Sequence, residues 1–378
     1  PRSYVFHFIN ESRVYYGNFV NVSVSAVPNG DGYYEYSANF GSEENTVWST
    51  VSGEATISRW SRKINYLIIG WFVYSSTYIE SLSLESMYTE FEALPSTGAL
   101  LVARGNTILH TYNADERMAV ASTFKLFVLH ALVEKINIDP GITWETTYPV
   151  QDKYKSLFLG GITNVANGTL LDLKTYADFM INISDNSATD HVINFLGRTF
   201  VEGYLPSGYQ LPLLTTAEVF KLKYLISDTN LGNYLLMNET DKRTYLDNTI
   251  ANLDVNDIDP YTDWTHNIDA RKQIEWFFNV TEIYDIQKLT IGYSSTQMNW
   301  GLAWIGMNWG LVSYKGGSDI GVLAMAHALR ATNGTWFYVT FIANNYGRFD
   351  FFNYAEYVFG QIGYEAICMK IMFKLSLI

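Results

Sequence analysis

Strand-like segments open and close the region between Gly98 and Ala343, and the long stretch between them reads as helix. No other feature constrains the fold as strongly. Ala99–Ala103 and Thr107–Tyr112 flank the turn signal Arg104-Gly105-Asn106 and form a hairpin. A helix begins after Ala121, with Phe124, Phe127, Val128, Ala131 and Leu132 recurring at helical spacing along one face. A second follows Asp172, a third runs from Ser187 to Leu196, and Thr215 with Glu218 has capping-box spacing at the start of a fourth. Trp300–Met307, Leu311–Tyr314 and Trp336–Ala343 read as strands, and Asp319–Leu329 as a strand end followed by a helix. Strands first and last with helices between define an α+β domain whose sheet is joined from both ends of the sequence.

Residues 1–88 have a different texture. Val20–Val27, Tyr33–Phe40, Glu54–Trp60 and Ile64–Tyr74 read as short strands between turn signals such as Pro28-Asn29-Gly30 and Ser52-Gly53. The expected organisation is a small β-rich domain over 1–90, a main domain over 91–365 and an apolar tail over 366–378. The tail suits a docking strand, a membrane-surface helix or a final packed element. No apolar run reaches the roughly 18 residues of a spanning helix. With 48% hydrophobic residues, the 378-residue chain is not disordered, and its net charge of −13 argues against a nucleic-acid partner. Its single cysteine, Cys368, excludes an internal disulfide framework and a Cys-rich zinc site. His110, His130, His191, His266 and His327 lack metal-ligand spacing, and no Gly-rich phosphate loop occurs, so neither metal nor cofactor is expected. His191 reads as a packed helix histidine. A first residue that is not Met, together with N-x-[ST] sequons at Asn10, Asn21, Asn167, Asn182, Asn238, Asn279 and Asn333, points to an extracellular or cell-surface glycoprotein.

Three short motifs carry the chemistry: Ser122-Thr123-Phe124-Lys125 at a helix start, Ser184-Asp185-Asn186 between two helices, and Lys315-Gly316-Gly317 after a strand-like run. At a helix N-terminus, free N–H groups and the positive dipole end stabilise negative charge developing beside Ser122. Lys125 lies one turn on, and its amine reaches the hydroxyl as a base if burial near a second cation keeps it neutral. Lys315 is that cation, and Ser184 bridges the two amines and passes a proton to the leaving group. Asn186 offers an amide to Lys125 or to a substrate carbonyl. The backbone N–H groups of Ser122 and Ser318 form an oxyanion hole, and Gly316 and Gly317 let the backbone approach the substrate.

In this order the motifs match the S-x-x-K, S-D-N and K-[ST]-G set, and the chain resembles the β-lactamase-like, penicillin-recognising serine hydrolases over roughly residues 90–345. YKSLFLGG (154–161), INISDNSATDHVINFLGR (181–198), LLTTAEVFKLK (213–223), IEWF (274–277) and YKGGSDIGVL (314–323) carry the resemblance further. They point to the subgroup with an additional N-terminal domain, as in the β-lactamase-like protein of clavulanic-acid gene clusters. The resemblance implies an antiparallel sheet facing an all-helical lobe. It also implies a secreted enzyme that forms an acyl-enzyme at Ser122 with an ester, amide, peptide or, poorly, a β-lactam. The alternative is an extracellular structural or binding protein that keeps the scaffold with little turnover.

Two departures stand out. Between the S-D-N helix and Thr215-Thr216 the only acid is Glu202, and Glu218 belongs to the next helix start, so the usual deacylating glutamate is not evident. Gly316 replaces a hydroxyl residue that would contact a substrate carboxylate, leaving Ser313 or Ser318 as substitutes.

Overall fold

The computed structural model describes residues 83–94, 97–157, 160–258, 271–293, 309–319 and 321–344, with further strand and helix positions inside 9–56 and 367–375. The chain forms two compact units, residues 1–94 with 358–378, and residues 95–357.

In the first unit, β1 (Ile9–Asn10) pairs with β2 (Arg13–Val14). β3 (Ser23–Pro28), β4 (Tyr33–Phe40) and β5 (Ser49–Thr56) form an antiparallel meander. β5 pairs along the whole of β4, from Tyr33↔Thr56 to Phe40↔Ser49, and takes in the start of the strand expected at 54–60, whose residues 57–60 lie outside the described residues. The strand expected at 64–74 lies outside the described residues. The segment closes in a helix rather than continuing as β: α1 (Leu84–Glu92) is capped by Ser83, whose Oγ accepts from Ser86 N at 3.0 Å. In the tail, Ile367, Cys368, Ile371, Met372 and Leu375 are helical and buried, a 3–4 spacing that selects a packed helical face.

The second unit is built on a five-stranded antiparallel sheet in the order β12-β13-β14-β6-β7. The hairpin β6 (Thr97–Arg104) and β7 (Thr107–Tyr112) comes from its start, and β12 (Trp309–Asp319), β13 (Val322–Ala331) and β14 (Trp336–Asn344) from its end. β14 joins the two halves by pairing with β6, from Asn344↔Thr97 to Phe337↔Arg104. The helix expected before Leu329 is therefore strand. Its composition, VLAMAHALRA, suits a helix, but Val322–Arg330 are paired with β12 on one side and β14 on the other, and tertiary pairing overrides propensity. The Lys315-Gly316-Gly317 motif lies within β12, paired to Ala326, Met325 and Ala324, rather than after it.

Against the sheet packs α2 (Lys125–Ile138), following a 3-10 turn at Ala121–Phe124. The expected apolar face is buried, but so are Lys125, Leu126, Leu129 and Val133, so α2 is a central helix enclosed on nearly all sides. Around it lie α3 (Leu173–Asn182), α4 (Asn186–Leu196), α5 (Arg198–Glu202), α6 (Thr216–Tyr224), α7 (Asp228–Leu236), α8 (Glu239–Asn248) and α9 (Val280–Thr290). Their starts follow local capping rules. Asp172 accepts from Thr175 N at 2.7 Å, and Thr215 with Glu218 forms the expected reciprocal box.

Candidate active site

The turn that presents Ser122 is tied to the sheet from three directions. The short strand β8 (Met118–Ala119) pairs with β11 (Phe277–Phe278), and Val120 N donates to Trp276 O at 2.9 Å. Asn344, at the end of β14, clamps Ala119 through both amide atoms, at 3.0 and 2.9 Å. Thr123 Oγ1 donates to Ala324 O at 3.2 Å, and Phe124 stacks on Trp276 with ring centroids 3.9 Å apart. Within this frame Ala121 is held at φ +45°, a left-handed conformation costly for a residue with a Cβ. Ser122 follows it, half-buried, with a hydroxyl that makes no hydrogen bond. Its N–H lies in the first turn and has no intrahelical acceptor.

Gly317 brings β12 against this turn. A Cβ at 317 would lie 2.2 Å from Val120 O and 2.7 Å from Ser122 N, so no other residue fits without moving backbone. Gly317 and Lys315 share one face of the strand by the two-residue period, and the Lys315 side chain runs from there to the helical side.

Ser184 joins the two lysines. Lys315 Nζ donates to Ser184 Oγ at 3.0 Å and to Gly316 O. Lys125 Nζ reaches Ser184 Oγ at 3.2 Å, Ser184 O at 2.7 Å and Asn186 Oδ1 at 2.7 Å. Ser184 is itself at φ +57°, the second strained non-glycine residue in the site. Both amines are fully enclosed, with Lys125 0% and Lys315 2% exposed. Burial pulls Lys125 down to about 7, against the opposing pull of Asp185 and Asp190. Lys315 is lowered well below its ordinary value by burial and then by the neighbouring Lys125. Of the two roles open to Asn186, the structure assigns the amide to Lys125, with its Nδ2 donating to Leu157 O at 2.5 Å.

The lobe behind Ser184 is held by buried polar groups around the start of α4. Asp185 caps α4 through Ala188 N at 2.9 Å and accepts Ile162 N at 2.9 Å. This explains Gly160-Gly161. A Cβ at 160 would strike the Asp185 carboxylate at 2.2 Å, and one at 161 the Phe179 ring at 2.2 Å. Asp190, one turn after Asn186, accepts Thr216 N at 2.7 Å and Ala217 N at 2.9 Å, seating the start of α6 beside the site. Burial raises its carboxyl to about 7. Thr216 Oγ1 bonds Ser156 Oγ at 2.8 Å, so the second threonine of the pair is structural. His191 is a packed core histidine: Nδ1 donates to Ser187 O at 2.6 Å and Nε2 accepts from Gln151 N at 2.9 Å.

The two glutamates weighed as water-activating groups are committed elsewhere. Glu202 Oε1 accepts from Leu213 N at 2.8 Å and Oε2 from Arg243 at 2.6 Å. Glu218 closes its capping box and pairs with Arg198 at 2.5 Å. Ser313 is 1% exposed and faces inward, so it cannot meet a substrate, whereas Ser318 is exposed. A buried cluster absent from the sequence reading fixes the end of β12. Lys223 of α6 bridges Glu275 and, at 2.6 Å, Asp319, the residue after Ser318. The two carboxylates hold Lys223 protonated despite its burial.

Residues 91–247 match the model of the β-lactamase enzyme family. This segment is similar to the β-lactamase enzyme family. Ser122, Lys125, Ser184 and Asn186 fall inside the matched span, and Lys315 reaches the same Ser184 hydroxyl from beyond it. Similar solved structures include the β-lactamase from Sphaerobacter thermophilus, at 15% identity over 78% of this chain and 96% of that chain, with a TM-score of 0.48. A class A β-lactamase from Bacteroides cellulosilyticus aligns at 15% identity over 81% and 100%, with a TM-score of 0.46. PBP-A in an acyl-enzyme complex with penicillin G aligns at 16% identity over 77% and 96%, with a TM-score of 0.42. No curated protein matches the chain. Among the described residues, no helix is long and apolar enough to cross a membrane.

Proposed function

We propose that the protein is a secreted serine hydrolase that forms an acyl-enzyme at Ser122 with an ester, amide or peptide, and acylates slowly with a β-lactam. The observation that carries this reading is the Ser184 hydroxyl shared by two buried amines, 3.2 Å from Lys125 and 3.0 Å from Lys315. A binding scaffold gains nothing from burying two lysines on one hydroxyl, because each desolvated amine costs stability.

With Lys125 near 7, a large fraction of the amine is neutral at neutral pH and can take the Ser122 Oγ proton as the oxygen attacks a carbonyl carbon. The new C–O bond places negative charge on the former carbonyl oxygen, to which the N–H groups of Ser122 and Ser318 donate hydrogen bonds. As the tetrahedral intermediate collapses, the bond to the leaving group breaks. The proton taken by Lys125 passes through Ser184, steadied by Lys315, to that leaving atom. The acyl group remains on Ser122 as an ester.

Release requires an activated water, and neither Glu202 nor Glu218 is free to supply one. A small ester whose alcohol departs leaves room for a water that Lys125 can deprotonate. A β-lactam keeps its leaving amine tethered and should remain bound. Incubation with penicillin G and with a fluorophosphonate, read by intact-protein mass spectrometry and peptide mapping, tests this. A single adduct at Ser122 is expected, and no adduct at any pH with either reagent would overturn the enzymatic reading. Retention of the sequons through secretion, read as a mass increase removed by glycosidase, would support the extracellular assignment.

A further inference from the structure

A cavity of about 290 Å³ lies between the loop that leads into α6, the helices α7 and α8, and the segment Gln273–Phe277. Neither Ser122, Lys125, Ser184 nor Lys315 lines it. Three charged residues do: Arg117, Glu275 and Lys242. Two of these charges are met elsewhere. Arg117 Nε donates to Glu282 Oε1 at 3.1 Å, and Glu275 is bridged by Lys223. Lys242 is not met. It is 7% exposed, and among the described residues its ammonium makes no hydrogen bond or ion pair, lying only over the Tyr234 ring, 5.5 Å from the centroid. Burial lowers the amine below its ordinary value, and no acid offsets that fall. Tyr209 adds a donor. Its ring stacks on Phe278 at 5.0 Å between centroids, and its hydroxyl makes no hydrogen bond among the described residues. Burial, then the Glu275 and Glu202 carboxylates, raise its ionisation far above the ordinary phenol range, so it remains an O–H. We propose that this cavity binds a small monocarboxylate with an apolar body, whose carboxylate is taken by Lys242 and the Tyr209 hydroxyl.

The chemistry of the lining selects that class. An ammonium taken from water without an anion is costly, and a bound carboxylate restores the charge that burial disfavours. One uncompensated cation calls for one negative charge; a phosphate dianion would leave the second unmatched beside Glu275. Leu211, Pro212, Leu214, Leu235 and Ile274 form the rest of the wall, so the body of the ligand is apolar. The volume stands at the lower edge of the about 300–1,000 Å³ usual for small-molecule sites, which suits a single ring or a short chain. The walls are also fixed before anything binds. Arg117 Nη2 donates to Ser207 O at 2.7 Å and holds the loop, and Trp276 Nε1 donates to Leu214 O at 3.0 Å. A preformed site loses little affinity to ordering.

The probe is phenylacetate, with phenylacetamide as a neutral compound of the same shape, each titrated into the full chain by calorimetry. A hydrogen bond to a charged group is worth about tenfold or more in affinity, so the acid should bind about tenfold or more tightly than the amide. Lys242→Met keeps the bulk of the side chain and removes its charge. It should weaken phenylacetate by about tenfold or more and the amide by less than about twofold. Tyr209→Phe should weaken the acid by about two- to tenfold. Leu235→Trp, which fills the cavity and leaves every charge in place, should abolish binding of both compounds. Without ligand, the thermal midpoint of Lys242→Met should equal or exceed that of the parent, because an uncompensated buried ammonium has gone. A lowered midpoint would show that the ammonium has a structural partner and would overturn the proposal. So would phenylacetate binding that Lys242→Met and Leu235→Trp leave unchanged, equal affinity for acid and amide, or no saturable binding at millimolar phenylacetate. Adduct formation at Ser122 is read separately and depends on none of these outcomes.

Discussion

Replacing Lys125 by alanine should separate catalysis from stability, and the structure shows why the two diverge. Two acceptors, Ser184 O and Asn186 Oδ1, lose their 2.7 Å donor, while Ser184 Oγ keeps Lys315. An orphaned buried acceptor costs about 1–3 kcal/mol, and losing the buried aliphatic stem about 0.8 kcal/mol per methylene. Working the other way, the fall in Lys125 from 10.5 to about 7 corresponds to about 5 kcal/mol of desolvation that the alanine variant no longer carries. These contributions oppose one another at similar size, so the net change should stay within a few kcal/mol and the domain should remain folded. Nothing offsets the loss of the base. Acylation of Ser122 should slow by about 10²–10⁴-fold. The assay is the intact-mass time course with penicillin G, run beside a thermal melt. Ser122→Ala serves as control: its hydroxyl makes no hydrogen bond, so its melt should match the parent within about 0.5 kcal/mol while acylation vanishes. A Lys125→Ala rate within about threefold of the parent, in a folded protein, would refute the assignment of Lys125 as base.

The pH profile of acylation should fall on the acid side of about 7, where Lys125 gains its proton, and reach a plateau above it; a rate independent of pH across that range would assign the base elsewhere. The same depressed value means the unfolded chain binds more protons between about 7 and 10.5, so Lys125 makes stability rise with pH over that window, measurable by denaturant titration. Penicillin G should give a burst followed by a persistent adduct, and Glu202→Gln and Glu218→Gln should lower stability by about 1–3 kcal/mol without altering adduct lifetime. Turnover within seconds that either variant abolishes would name a base this geometry denies. Gly317→Ala, whose methyl would meet Val120 O at 2.2 Å, should destabilise by about 1–3 kcal/mol and abolish labelling of Ser122, and unimpaired labelling would show that the turn yields.

Features that depend on a few neighbouring residues were legible in the sequence. Helix starts at Asp172 and Thr215 were visible because a cap is a hydrogen bond three residues long, and the β6–β7 hairpin because its turn lies inside it. The three motifs were visible because each is contiguous, and the fold joins Lys125, Ser184, Asn186 and Lys315 by hydrogen bonds. What required the tertiary structure was whatever depends on burial or on partners far along the chain. Lys125 meets Ser184 across 59 residues and Lys315 meets it across 131, so the enclosure that lowers both amines cannot be read from either motif. β13 is strand because two neighbours pair with it, against its own preference for helix. Glu202 was an open candidate until Arg243, 41 residues away, and Leu213 N claimed its oxygens. The glycine at 316 read as a missing hydroxyl, and only the folded strand shows the Tyr314 ring packed over it.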